Sequence, residues 1–254
     1  MAIPDAAFYD RWYANMSQSP LRDAIVQREL GLPPELRSSS VLGWDGIADV
    51  VAALDLRPGQ RLLDLACGRG GYGLEIVRRT DVRLVGVDFS AVAVGQARHR
   101  AEELGLADRA SFQVADMART GLADASADAA MCVDAVQFVE PAAAALLECR
   151  RVLVPGGRLV MTTWEVVDPD DERVPARMRQ LDLANDLADA GFLRVEVEDR
   201  SDWRGAERSM WQAALAVEAD GDPAMQSMQE EATRVLASFD SFRRVLATAQ
   251  APPA

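Results

Sequence analysis

Between residues 60 and 164, short apolar runs alternate with segments of helical periodicity, and this alternation restricts the fold more than any other feature of the chain. RLLDLA (61–66), RLVGVDF (83–89), SFQVAD (111–116), AAMCVD (129–134) and RLVMTTW (158–164) read as strands. YGLEIVRRT, SAVAVGQARHRAEELG and PAAAALLECRRVL read as the helices between them. Ser90 fits the N-cap of the second helix and Gly105 its C′ position. Such alternation gives an α/β fold with a parallel, doubly wound sheet. The ligand crevice of that sheet lies beyond the carboxyl ends of its strands.

The flanks read as helical. In WDGIADVVAALDLRPGQ, Ile47, Val50, Val51 and Leu54 form one apolar face that ends at the turn RPGQ. FYDRWYANM places Phe8 and Trp12, and Tyr9 and Tyr13, four residues apart, which gives one helix two aromatic rows. DLANDLADAGF predicts a helix stopping at Gly191, RVEVEDR a strand, residues 205–240 helices, and RRVLATAQ (243–250) a closing strand. The expected organisation is a helical cap over residues 1–43 and a main domain over 44–254, with a helical lid insertion at about 203–240.

The first strand runs into the loop of LLDLACGRGGYG, where Gly68, Gly70 and Gly73 have the spacing G-x-G-x-x-G. That spacing suits a dinucleotide whose pyrophosphate rests on a helix N-terminus. Asp64, just before the loop, argues otherwise, because a carboxylate there repels a pyrophosphate. S-adenosylmethionine has no phosphate, and its ammonium and sulfonium favour a nearby carboxylate. Its own carboxylate suits the N–H groups of a helix start. Asp88, ending the second strand, can accept from the ribose hydroxyls of either cofactor. Asp116, ending the third, can accept from an adenine amine, and Phe89 can face the ring. Gly73 then reads as an incidental small residue.

LLDLACGRG, VGVDFS, FQVADM, DAAMCVDAVQFV and RRVLVPGGRLVMTTWE, in this order and spacing, resemble the successive motifs of class I S-adenosylmethionine-dependent methyltransferases. Within that class they are similar to the small-molecule branch that includes ubiquinone-type and natural-product tailoring enzymes. The resemblance spans about residues 56–165. It implies a Rossmann-like, seven-stranded doubly wound sheet whose last strand is antiparallel. It also implies cofactor contacts at Asp64, Ala66, Gly68, Gly70, Asp88, Asp116 and Met117, where Ala66 stands in place of a common glycine.

Related enzymes often carry a histidine pair after the fourth strand, where this chain has Gln137 and Phe138. The single histidine, His99, falls on a helix expected to be solvated. Asp134 and Glu165 are therefore the candidate bases, with Asp134 a candidate for the cofactor's methionine end as well. Gln137 can orient an acceptor, and Tyr13 is the candidate cofactor lid. Without an imidazole base, methyl transfer rests mainly on proximity and orientation, to an O, N or nucleophilic C atom of a small aromatic or apolar metabolite. A nicotinamide oxidoreductase and a cofactor-binding protein without methyl transfer, such as a cyclase, are the alternatives.

Net charge is −13, and all 27 basic residues are arginine. This field disfavours nucleic acid as a partner, and the lack of lysine excludes Schiff-base catalysis by a side chain. Cys67, Cys132 and Cys149 have neither metal-ligand nor disulfide spacing. No signal peptide or membrane-length apolar run is expected. The expectation is a cytoplasmic monomer or homodimer without a bound metal.

Overall fold

The computed structural model describes residues 5–254, so the first four residues of the expected cap lie outside it. Its strands are β1 (Arg61–Leu65), β2 (Arg83–Asp88), β3 (Ala110–Val114), β4 (Ala127–Val133), β5 (Leu153–Val166), β6 (Leu193–Asp199) and β7 (Phe242–Gln250). They form one seven-stranded sheet in the order β3-β2-β1-β4-β5-β7-β6. The pairings from β3 through β5 are parallel, and β7 runs antiparallel to both β5 and β6. The order reverses between β1 and β4, which opens a crevice at their carboxyl ends. The expected Rossmann-like, doubly wound sheet with an antiparallel closing strand is the observed one.

The pleat sorts the core into two faces. Leu62, Leu84, Ala129 and Met131 face one side, where they pack with α3 (Trp44–Leu54), α4 (Gly71–Thr80) and α5 (Ala91–Glu103). Leu63, Leu65, Ala130 and Cys132 face the other, against α6 (Ala142–Val152) and α8 (Leu183–Asp189). Ser90 caps α5 by accepting from Ala93 N, and Gly105 beyond its end has φ +67°.

Two further helices precede α3, namely α1 (Ala6–Met16) and α2 (Pro20–Glu29). Ser19 caps α2, with Pro20 at its first position. A short α7 (Ala176–Arg179) follows β5, and α9 (Arg204–Leu215) and α10 (Pro223–Ala237) fill the segment before β7. These late helices pack into the first core face, where Met210, Trp211, Met225 and Met228 are buried. Helices α9 and α10 thus share a core with the sheet.

One buried ion pair ties the last strand to the crevice. Arg244 of β7 donates to both carboxylate oxygens of Asp134, at 2.7 and 3.2 Å. Asp134 stands at the end of β4 with φ +55°, a left-handed conformation that is costly for a residue with a side chain. Its carboxylate also accepts from Thr162 Oγ1 at 2.7 Å and from the Ser40 hydroxyl. The guanidinium lies 4.1 Å from the Trp164 ring. Glu207 of α9, which accepts from Trp164 Nε1 at 3.0 Å, completes the group.

Removing one partner of such a pair leaves an uncompensated charge in the interior. Arg244→Met should cost about 3–5 kcal/mol of stability, read from urea unfolding. Adding Asp134→Asn should recover part of that loss, which would make the double variant less than additive.

Candidate functional site

The loop joining β1 to α4 is shaped by its glycines and by one aspartate. Gly68 and Gly70 have φ +52° and +75°, where a side chain is strained. Ala66, at φ +56°, occupies the same region despite its methyl group. Asp88, at the end of β2, holds the loop: one carboxylate oxygen accepts from Gly68 N and the other from Ser90 N, both at 2.9 Å. The same carboxylate therefore fixes the glycine loop and the start of α5.

Asp64 lies in β1 beneath this loop, only 4% exposed. Burial pushes its carboxyl well above the usual range, and the neighbouring Asp88 adds to the rise. Asp88 is itself raised by burial, although its two backbone donors pull the other way. Gly73 is not incidental. A Cβ there would come within 2.6 Å of Asp64 Oδ2 and 2.9 Å of Leu84 Cδ2, so the third glycine makes room for the buried carboxylate.

The N-terminal helices cover the loop. A Cβ on Gly68 would meet Ser39 Oγ at 2.6 Å and the Tyr13 hydroxyl at 2.9 Å. Tyr13 is buried, and its phenol is pushed well above its ordinary pKa, mainly by burial and then by Asp88. Tyr9 lies between Phe89 (ring centroids 5.2 Å) and Phe138 (6.5 Å), which joins the ends of β2 and β4 to α1. Burial and then the charge of Glu231 on α10 raise the Tyr9 phenol to about 12. Asp10 anchors α1 by accepting from Ser90 Oγ at 2.5 Å and Val92 N at 3.2 Å.

The remaining sequence candidates divide. Asp116 is exposed and accepts from Ala118 N at 2.7 Å within its own turn, with Met117 half-buried beside it. Both stand at the end of β3, on the rim next to Asp88. Asp134 is engaged by Arg244 and two hydroxyls. Gln137 is buried, donating to Asp134 O and accepting from Thr163 Oγ1, both at 2.8 Å. Glu165 points to the sheet face opposite Trp164, where it accepts from Leu183 N at 2.9 Å and Arg243 at 2.8 Å. The fold thus gathers Asp64, Ala66, Gly68, Gly70, Asp88, Phe89 and Tyr13 and keeps Glu165 apart. The side chain of His99 is 73% exposed on α5.

Aromatic residues of α1 join Phe89 and Phe138 at the site, and the tryptophans Trp44, Trp203 and Trp211 do not. Trp44 stacks on Arg79 at 4.0 Å, while Trp203 and Trp211 are buried in the core. Sequence reasoning missed Asp10, Asp23, Ser39 and Glu231, whose partners are distant in the chain. The sequence SPLRDA did carry the N-cap and N1 proline that announce α2, the helix bearing Asp23.

Residues 62–157 match the family described as methyltransferase domain. A sterol 24-C-methyltransferase of Gibberella zeae is 32% identical over 131 residues, covering 51% of this chain and 34% of the relative. The chain spans about a third of the length of the first curated relatives that it matches. Among solved structures, the [4+2]-cyclase SpnF superposes with a TM-score of 0.76 at 24% identity, over 100% of this chain and 98% of that one. A phosphoethanolamine N-methyltransferase 2 of Haemonchus contortus, solved with phosphomonomethylethanolamine and S-adenosylhomocysteine, gives 0.73 at 18% identity, over 96% and 60%. These structural likenesses establish the fold.

The raised carboxyl of Asp64 has a signed consequence. An acid whose folded-state pKa lies above its unfolded value of about 3.9 stabilises the fold most below that value. The contribution is lost as pH rises through the raised pKa. Asp64→Asn should therefore be more stable than the parent at pH 8, with the gap closing on acidification. Urea midpoints at pH 8 and pH 4.5 check this, and a gap that widened toward low pH would contradict it.

Proposed function

We propose that this chain, which carries a class I S-adenosylmethionine-dependent methyltransferase domain, transfers the cofactor's methyl group to an O, N or nucleophilic C atom of a small aromatic or apolar molecule. The observation that carries this reading is the pair of buried carboxylates, Asp64 and Asp88, at a glycine loop. Both resist ionisation in the protein alone. A positively charged ligand relieves that cost, whereas a pyrophosphate would aggravate it. This disfavours the nicotinamide alternative.

The cofactor fits the donors present. Asp88 has carboxylate lone pairs left for ribose hydroxyls beyond the two backbone bonds it accepts. Asp64 and the Ala66 carbonyl would serve the methionine end, with Gly68 and Gly70 allowing close backbone approach. Phe89 would face the adenine, Asp116 and Met117 would stand at its rim, and Tyr13 would close over the loop. When bound, S-adenosylmethionine supplies an electrophilic methyl on a sulfonium. The chain's own residues then need to hold an acceptor in line and exclude water. Orientation of that kind can supply about 7–11 kcal/mol.

A general base would add about 10²–10⁴-fold, but the bases foreseen in the sequence are occupied. Asp134 is bound to Arg244, and Glu165 to Arg243 and Leu183 N. Gln137 is tied to Thr163 and so orients its loop. These bonds support catalysis by proximity, with an acceptor already nucleophilic. Tyr9, Phe138 and the exposed Phe8 offer that acceptor an aromatic entrance. We further assign the described part of the expected 1–43 cap, residues 5–43, as closing the site. The proposed enzyme acts in the cytoplasm as a monomer or homodimer, apart from nucleic acid and membranes. Three buried free cysteines and the net charge of −13 are the support. No helix among the described residues is long and apolar enough to cross a membrane.

Incubating the protein with methyl-labelled S-adenosylmethionine and an extract of its native cell should yield a labelled small molecule. Tight cofactor binding without any labelled product would favour the second reading, binding without transfer, which the engaged carboxylates also allow. Asp88→Ala should weaken S-adenosylhomocysteine binding by about 1–3 kcal/mol, read by calorimetry. An unchanged dissociation constant would count against the assignment of this loop.

A further inference from the structure

The loop at the heart of the proposed site contains a buried arginine that the assigned chemistry does not use. Arg69, between Gly68 and Gly70, is 5% exposed. Its guanidinium donates to both oxygens of Asp23 on α2, at 2.9 and 3.3 Å, and to the Ser38 carbonyl at 2.9 Å. Its Nε is buried and has no acceptor among the described residues. Arg22, also on α2 and 6% exposed, donates to Asp23 at 3.1 Å. Arg37 approaches the same carboxylate from solvent, at 2.7 Å.

Two buried cations thus share one buried anion. Burial and the charge of Arg69 lower Arg22 to about 10, partly offset by Asp23 and by Glu231 of α10. Burial pushes the Asp23 carboxyl up, but the bonds and charges of Arg69, Arg22 and Arg37 outweigh it and hold it below its ordinary range. Asp23 is therefore ionised at neutral pH, a single carboxylate bonded to all three guanidinium groups. The Arg22 guanidinium lies 6.0 Å from the Trp12 ring.

The charge on the loop matters for what the loop receives. S-adenosylmethionine carries a sulfonium, an ammonium and a carboxylate, for a net charge of +1. S-adenosylhomocysteine has lost the sulfonium charge and is neutral overall. An uncompensated arginine in the glycine loop would repel the first more than the second. We propose that Asp23 is a positioning residue for the cofactor loop. It ties α2 to the loop through Arg69 and offsets that arginine's charge, so the site accepts the cationic methyl donor instead of favouring the neutral product. The proposal rests on the methyltransferase reading and concerns only how the loop's charge is offset.

Calorimetry with both cofactor forms tests it through the ratio Kd(S-adenosylmethionine)/Kd(S-adenosylhomocysteine). Asp23→Asn leaves Arg69 and Arg22 without their anion and should raise the ratio about three- to tenfold, as expected for one unit charge across a partly screened gap. Arg69→Met leaves Asp23 paired with Arg22 and Arg37, and should lower the ratio by a similar factor. Loosening of the fold alone would weaken both cofactors together and leave the ratio unmoved. An unmoved ratio in both variants, or a shift of the same sign in both, overturns the proposal. If Asp23→Asn fails to fold, Arg69→Met decides alone, and a ratio that stays level or rises overturns it. A parent protein that binds neither cofactor form would instead refute the methyltransferase reading.

Discussion

The site depends on the carboxylate of Asp88. Its two oxygens accept from Gly68 and Ser90, residues on separate connections, and so hold together the end of β2, the glycine loop and the start of α5. The loop's left-handed glycines expose backbone N–H groups that need such an acceptor. Asp10 of α1 docks on Ser90, so the N-terminal helix is registered against the same point. Burial of this carboxylate beside Asp64 places two acids that resist ionisation at the carboxyl ends of β1 and β2. The sheet supplies the position, and the proposed preference for a cation rests on the two acids.

A second system of charges ties α2 and the last strand to the strand ends. Arg69 reaches from the loop to Asp23 in α2, while Arg244 reaches from β7 to Asp134 at the end of β4. Buried ion pairs contribute little net stability, because desolvation offsets most of their attraction. They do exclude alternatives, since any arrangement that separates them leaves a bare charge in the interior. Cap, loop and closing strand are thereby fixed in one geometry.

The sheet was legible in the sequence because its signals are local. Apolar runs of strand length, the Ser90 cap and the Gly105 and Gly191 stops each read from a few neighbouring residues, and each is observed. The cluster of Asp64, Gly68, Gly70 and Asp88 was legible because loop and strand ends lie at fixed offsets in a parallel sheet. The role of Gly73 was not, because it follows from packing across to Leu84 in β2. Asp23, Glu231 and Arg244 were also hidden. Nothing near Arg244 in FRRVLATAQ marks it as the partner of a residue 110 positions earlier. Asp134 and Glu165 looked like free bases for the same reason: their partners are supplied by tertiary structure.

The placement of β7 bears on how such a chain assembles. This strand is the last in sequence but lies between β5 and β6 in the sheet. It also brings Arg244, which neutralises Asp134. Until β7 inserts, β6 has no neighbour and the crevice keeps an unpaired aspartate in a left-handed turn. A growing polypeptide can therefore lay down the glycine loop and its acids early, yet Asp134 gains its arginine only when β7 pairs with β5. Such long-range pairing is a slow folding event, so the competent pocket and the finished sheet emerge in the same step.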